Sequence, residues 1–220
     1  MWKVVHWARC IGLLAPALLL ILVATPRLQS GLAIDAAYPV PVLMIADVGL
    51  PQSSYDETAA ILGRAHRDDG ETILQRAEAL SYAQPRAEIV VALLQDGLAK
   101  SPASVRGWTL LAEQLDTIDR RKAAQTLGQS FLLGPYEYFV ASKRARQAAV
   151  LWDMLTIDTR EAALEQTRLL WTETDLNDEI LRLLDTRGGS ELLARAFIDG
   201  PEELRAINRW VTTQRRNADR

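Results

Sequence analysis

The chain has 220 residues, 49% of them hydrophobic and 24% charged, and its formal net charge is −3. This length and balance indicate one globular domain with a core, plus an additional segment. The weak negative charge argues against a nucleic-acid-binding surface, because neutralising phosphates requires clustered lysine and arginine.

The first 25 residues are predicted to enter a membrane. Residues 1–9 include Lys3 and Arg9, and the apolar residues 10–25 follow without a charge. Such a run is short for a hydrocarbon core of about 30 Å. It is therefore compatible with a single-pass anchor, which we favour, or with a cleaved signal segment. The preceding positive charges predict a cytoplasmic N-terminus at a bacterial-type inner membrane, with the rest of the chain in the periplasm.

Residues 26–54 carry no continuous helical period and are predicted to be a linker. They are interrupted by Pro26, Pro39, Pro41, Pro51, Gly31 and Gly49. Within this linker the apolar stretch 40–46 predicts a segment packed on the helices, with an edge strand or a membrane-surface contact as alternatives.

Apolar residues recur at helical spacing throughout residues 55–216, which predicts an all-α domain. Helices are expected from Asp56, around Leu74 and over 87–100. Two more follow Ser104 and Asp119, whose side chains suit the N-cap position. Beyond Pro135 the expected helices lose the earlier spacing and would cover the end of the domain as irregular capping helices; they span 136–155, 159–172, 176–187, 190–198 and 201–215.

Two stretches share one spacing of apolar and small residues. The first consists of Val90, Leu94, Gly97 and Pro102, and the second of Ala123, Leu127, Ser130 and Pro135. A unit of about 33 residues is typical of helical hairpins that must stack on their neighbours to bury an apolar face.

This pattern resembles the tetratricopeptide repeat family. The resemblance is clearest over residues 104–135 and weaker over 71–102, and it rests on Trp108, Leu111, Ala112, Leu115, Ala123, Leu127 and Pro135. It departs where Ala112, Leu115 and Leu127 replace the family's usual Gly, Tyr and Phe. The resemblance implies stacked hairpins with a groove that binds proteins. By fold-level analogy, the expected function is that of an exported, membrane-anchored scaffold or adaptor in cell-envelope assembly, with polysaccharide assembly as one such process.

The sequence offers few candidates for catalysis. It has two histidines and one cysteine, and it contains no phosphate-binding loop, dinucleotide fingerprint or nucleophile elbow. We therefore predict no catalytic, cofactor-binding or metal-binding residues and a protein that is not an enzyme. The alternative is a membrane-tethered hydrolase or transglycosylase of cell-wall glycan that uses distant carboxylates. A homo-oligomeric module is a third hypothesis.

One segment after the repeat combines aromatic and basic side chains. Tyr136, Lys143 and Arg144 are the candidate binding strip, because an aromatic face and two cations could stack on and hydrogen-bond to a sugar or peptide. The simpler interpretation places the neighbouring apolar residues in the core and the cations at its edge, with their charged ends in water.

Overall fold

The structure is a computed structural model that describes residues 18, 20–22, 24–25, 27–45, 49–64, 69–83, 86–173 and 176–218. Over these ranges the chain forms helices and turns, and none of the described residues lies in a β-strand. The predicted all-α class is therefore confirmed.

The named helices follow one another with short connections. In chain order they are α1 (Val40–Ile45), α2 (Gln52–Leu62), α3 (Gly70–Tyr82), α4 (Ala87–Lys100), α5 (Val105–Asp116), α6 (Arg120–Leu133), α7 (Ala141–Leu151), α8 (Ile157–Thr172), α9 (Asn177–Leu184), α10 (Gly189–Ala196) and α11 (Pro201–Ala218). Two short 3₁₀ helices, Tyr138–Val140 and Trp152–Met154, flank α7.

Side-chain caps fix the start of two of the repeat helices. The Ser104 hydroxyl accepts a hydrogen bond from the Gly107 N–H at 3.4 Å, and α5 begins at the next residue. The Asp119 carboxylate accepts one from the Lys122 N–H at 3.1 Å, and α6 begins there. Both N-caps are confirmed, since these side chains satisfy N–H groups that a helix leaves without a partner in its first turn.

Apart from its two exposed prolines, the shared spacing corresponds to buried positions in two successive helical hairpins. In the first hairpin, formed by α3 and α4, the two backbones approach each other closely at Gly97. A Cβ atom placed on Gly97 would lie 2.7 Å from Leu74 Cδ2 and 3.2 Å from the Gly70 carbonyl oxygen. At the equivalent position of the α5–α6 hairpin, the buried Ser130 hydroxyl lies 2.7 Å from the Thr109 hydroxyl. At this matching position the first hairpin is packed by a close glycine contact, and the second hairpin is joined by a hydrogen bond.

The predicted linker contains more helix than its sequence indicates. Residues 27–37 are helical, and α1 follows them. Ser30, Ala33 and Ala37 are buried at intervals of three and four residues, a spacing that places small side chains on one helix face. Met44 of α1 packs in a cluster that includes Tyr55 of α2, so the described part of the stretch, Val40–Ile45, contacts the helical domain as a short helix.

The predicted membrane segment 10–25 lies largely outside the described residues, and residues 1–9 lie entirely outside them. Leu18, Leu20, Ile21 and Leu22 are described, and they are helical and exposed. In the described part of the chain, no helix combines the length and the apolar character needed to cross a membrane.

The last helices extend the core beyond the two hairpins. Ile180 of α9, Leu192 of α10 and Ile207 of α11 are buried and belong to one hydrophobic cluster that begins at Leu74. Because these side chains continue the apolar interior, they cover an end of the stack that would otherwise face water.

We expect a measurable coupling between Gly97 and Leu74. The substitution Gly97→Ala forces the new methyl group against Leu74, whereas Leu74→Ala alone creates a cavity that costs ~2–5 kcal/mol. Leu74→Ala also opens space for that methyl group. The double variant should therefore lose ~0.5–3 kcal/mol less unfolding free energy than the sum of the losses in the two single variants. Denaturant unfolding of the full chain, followed by circular dichroism, measures this difference.

Gly31→Ala provides the control, because a Cβ atom there meets no atom of the described residues within 4 Å. Its effect should simply add to that of Leu74→Ala. If the effects of Gly97→Ala and Leu74→Ala are also additive, the close packing of α3 and α4 is contradicted.

Candidate functional site

Three neighbouring cavities of the helical domain share lining residues. The α3–α5 cavity, about 450 Å³, contains Glu71, Gln75 and Val105. The central cavity, about 300 Å³, shares Glu78, Arg106, Leu110 and Phe139 with it. The α7 cavity, about 180 Å³, shares Lys143 and Arg146 with the central one. We use "the groove" for the combined surface of these three cavities.

The groove is lined by alternate helices of the stack. Its walls come mainly from α3, α5 and α7 and from the 3₁₀ helix Tyr138–Val140. None of the described residues that line the three cavities belongs to α4, α6 or α8. The first helix of each successive pair therefore faces the groove, and the second helix lies behind it.

An ion pair joins α3 to α5 where the first two cavities meet. Glu78 is only 3% exposed and accepts a hydrogen bond from Arg106 Nε at 2.7 Å. Arg106 Nη2 also donates to the other carboxylate oxygen of Glu78. This two-point contact suits the planar guanidinium group and fixes both side chains, because a buried carboxylate left without its partner would be costly.

Lys143 of α7 spans the central and α7 cavities. Its Nζ lies 3.3 Å from Glu113 Oε2 and donates a hydrogen bond to the Tyr82 hydroxyl at 3.4 Å. Burial by itself lowers the pKa of Lys143, but the combined attraction of Glu113, Tyr82 and Glu78 exceeds that effect and raises the pKa above its ordinary value. Lys143 is therefore protonated at neutral pH and cannot act there as a general base.

Glu179 of α9 is the centre of a second charged cluster. It accepts a hydrogen bond from Ser142, and its carboxylate oxygens lie 3.0 Å from Arg146 Nη1 and 3.0 Å from Arg182 Nη1. Together with the pairs of Glu78 and Glu113, this arrangement places three of the groove's carboxylates against cations. Each of these pairs joins two neighbouring helices that line the groove.

The predicted binding strip is divided among three environments. Tyr136 is 82% exposed in the turn after α6 and does not line the three cavities, whereas Lys143 does. Arg144 is 0% exposed and points into the protein interior. Of the three residues, only Lys143 is placed where it could contact a molecule bound in the groove.

Arg144 holds together the connection between α6 and α7. Its guanidinium donates to the backbone carbonyls of Ser130 at 3.0 Å, Gly134 at 2.8 Å and Glu137 at 3.3 Å. It also lies 4.8 Å from the centroid of the Phe131 ring. Burial lowers the pKa of Arg144 to about 10, with Glu137 opposing the shift. Arg144 is therefore charged at neutral pH and has a structural role.

The sequence around Arg144 indicates that this residue is buried, and the prediction of a binding strip overlooked it. Arg144 lies three residues after Ala141 and four before Ala148, and both alanines are fully buried. Helical spacing places all three on one face. A charged residue within a face of small side chains indicates a buried ion or hydrogen-bond network.

The described residues contain no cluster of three or more His, Cys, Asp or Glu side chains suited to hold a metal ion. No protein-family model, curated protein or solved structure gives a significant match to the chain. The groove itself is therefore the basis for a functional assignment.

We expect Arg144→Lys to lower the free energy of unfolding by ~3 kcal/mol, although it conserves the charge. One ammonium group cannot replace a planar guanidinium that donates hydrogen bonds to three carbonyls. Chemical denaturation monitored by tryptophan fluorescence would measure this loss. Arg121→Lys, at an exposed position of α6, is the matched control and should change stability by less than ~0.5 kcal/mol. Equal stability of the two variants would show that the Arg144 contacts contribute little.

Proposed function

We propose that this protein is a membrane-anchored adaptor of the tetratricopeptide-like type, whose groove binds a segment of a partner protein. The observation that carries the proposal is the alternation of helices, in which α3, α5 and α7 line the groove while α4, α6 and α8 lie behind them. A surface built in this way is a typical binding face of stacked helical hairpins. Its mechanism is docking without chemical turnover.

The composition of the groove supports binding rather than catalysis. Glu78, Glu113 and Glu179 are each engaged by arginine or lysine, which gives the groove a fixed charge pattern that suits docking. Tyr138 and Phe139 are partly exposed at its edge. Aromatic side chains in such positions supply contact area for a partner with little loss of conformational entropy.

The location of the adaptor is the second part of the proposal. We infer that residues 10–25 form a single-pass inner-membrane anchor and that the helical domain lies in the periplasm, where it assists cell-envelope assembly, including that of polysaccharides. The exposed apolar side chains of Leu18, Leu20, Ile21 and Leu22 support this inference, because a helix surrounded by lipid carries apolar side chains outwards. The choice of pathway rests on analogy with anchored repeat proteins.

Site-specific photo-crosslinking tests the binding face. Phe139 lines two cavities and is 50% exposed, whereas Ile89 on α4 is 52% exposed and lies outside the three cavities. A photoreactive phenylalanine analogue at position 139 should capture a discrete protein in intact cells, and the same analogue at position 89 should not. Equal capture at both positions, or capture at position 89 alone, would argue against the groove as the docking surface.

Topology is tested by fusing alkaline phosphatase, which folds to an active enzyme only outside the cytoplasm, after Arg220. We expect high phosphatase activity in the membrane fraction, and loss of that activity when residues 1–25 are removed. The positive charges before the apolar run give the reason for this orientation. If the phosphatase fusion is inactive and a reporter that is active only in the cytoplasm gives the signal at the same position, export is refuted.

A further inference from the structure

We propose that the α3–α5 cavity binds a lysine or arginine side chain that is flanked by an apolar residue in an extended segment of the partner. The inference deepens the proposed adaptor function and depends on it. It rests on three properties of this cavity: the excess of negative charge, one hydrogen-bond acceptor without a donor, and the apolar wall.

The first property is charge. The cavity is lined by three carboxylates, those of Glu71, Glu78 and Glu137, and by one guanidinium, that of Arg106. Arg106 is committed to Glu78 through two hydrogen bonds. Arg144 lies in the interior near Glu137 and offsets part of its charge. Glu71 is exposed in the first turn of α3. A cation that enters the cavity therefore finds a net negative charge, carried by Glu71 and in part by Glu137.

The second property is an acceptor on the cavity wall. Gln75 lines the same cavity, and its Oε1 atom is shielded from solvent and accepts no hydrogen bond from the described residues. A buried acceptor without a partner carries a free-energy cost. A donor from a ligand would remove that cost once the Gln75 amide turns towards the cavity. Ammonium, guanidinium and backbone N–H groups are such donors.

The third property is an apolar wall beside the carboxylates. Leu74, Val105, Leu110 and Phe139 line the cavity together with Pro41 from α1. Lysine and arginine have long aliphatic stems that pack on apolar surface while the charged end reaches polar partners. An acidic segment would instead place its carboxylates against Glu71, Glu137 and an acceptor oxygen. The cavity therefore discriminates by charge sign as well as by apolar contact.

Peptide selection on the full chain tests the proposal. Random linear peptides are displayed and selected against the immobilised protein, and the enriched peptides are synthesised for affinity measurements by fluorescence polarisation. We expect enrichment of lysine or arginine next to an apolar or aromatic residue. Replacing that cation by glutamine should weaken binding about tenfold, and so should the variant Glu71→Gln/Glu137→Gln. Binding should also weaken as salt concentration rises.

The control variant Glu57→Gln/Glu88→Gln removes two negative charges from exposed positions on α2 and α4, away from the cavity. It should leave the affinity of the selected peptide within about twofold, because exposed charges at a distance are screened. If both double variants weaken binding equally, the effect comes from net charge and the cavity assignment is overturned.

The remaining outcomes separate this inference from the proposed function. Selected peptides that prevent crosslinking at position 139 but show no preference for a cation would overturn the inference and leave the adaptor function standing. Failure to select any peptide that competes at position 139 would count against both.

Discussion

The buried guanidinium of Arg144 is the contact on which the groove depends. It joins the carbonyls of Ser130, Gly134 and Glu137, and so fixes the end of α6, the following turn and the start of the 3₁₀ helix relative to α7. Because Phe139 and Lys143 lie on those same elements and line the groove, their positions follow from this one interior contact. A charged group buried in this way is stable only when its hydrogen bonds are made, so the local geometry is strongly constrained.

The second constraint is that most charges in the groove are already paired across neighbouring helices. Arg106 of α5 binds Glu78 of α3, and Arg146 of α7 binds Glu179 of α9. These pairs connect the helices along the groove and are partly shielded, so removal of one partner would leave the other charge poorly solvated. The groove therefore has a fixed charge pattern before any partner arrives, which reduces the ordering cost of binding.

The sequence predicted the helical class and the hairpin positions because those depend on local spacing and caps. Val90 and Leu127 are buried where the shared period places them, and Ser104 and Asp119 cap the helices that follow. The candidate site depended on contacts between distant residues, which spacing does not reveal. Arg144 resembles a surface cation beside Lys143 until the fully buried alanines on its helix face are considered. The pairing of Glu78 with Arg106, 28 residues apart, required the packing of α3 against α5.

The groove is also continuous with the N-terminal part of the chain. Pro41 and Met44 of α1 line its cavities, and Met44 is held in a cluster with Tyr55 of α2. The helical residues 27–37 preceding α1 extend about 16 Å at 1.5 Å per residue. If residues 10–25 are anchored in lipid as proposed, this short connection keeps the groove within a few tens of ångströms of the bilayer. Partners confined to the membrane surface would then meet the groove at a raised effective concentration.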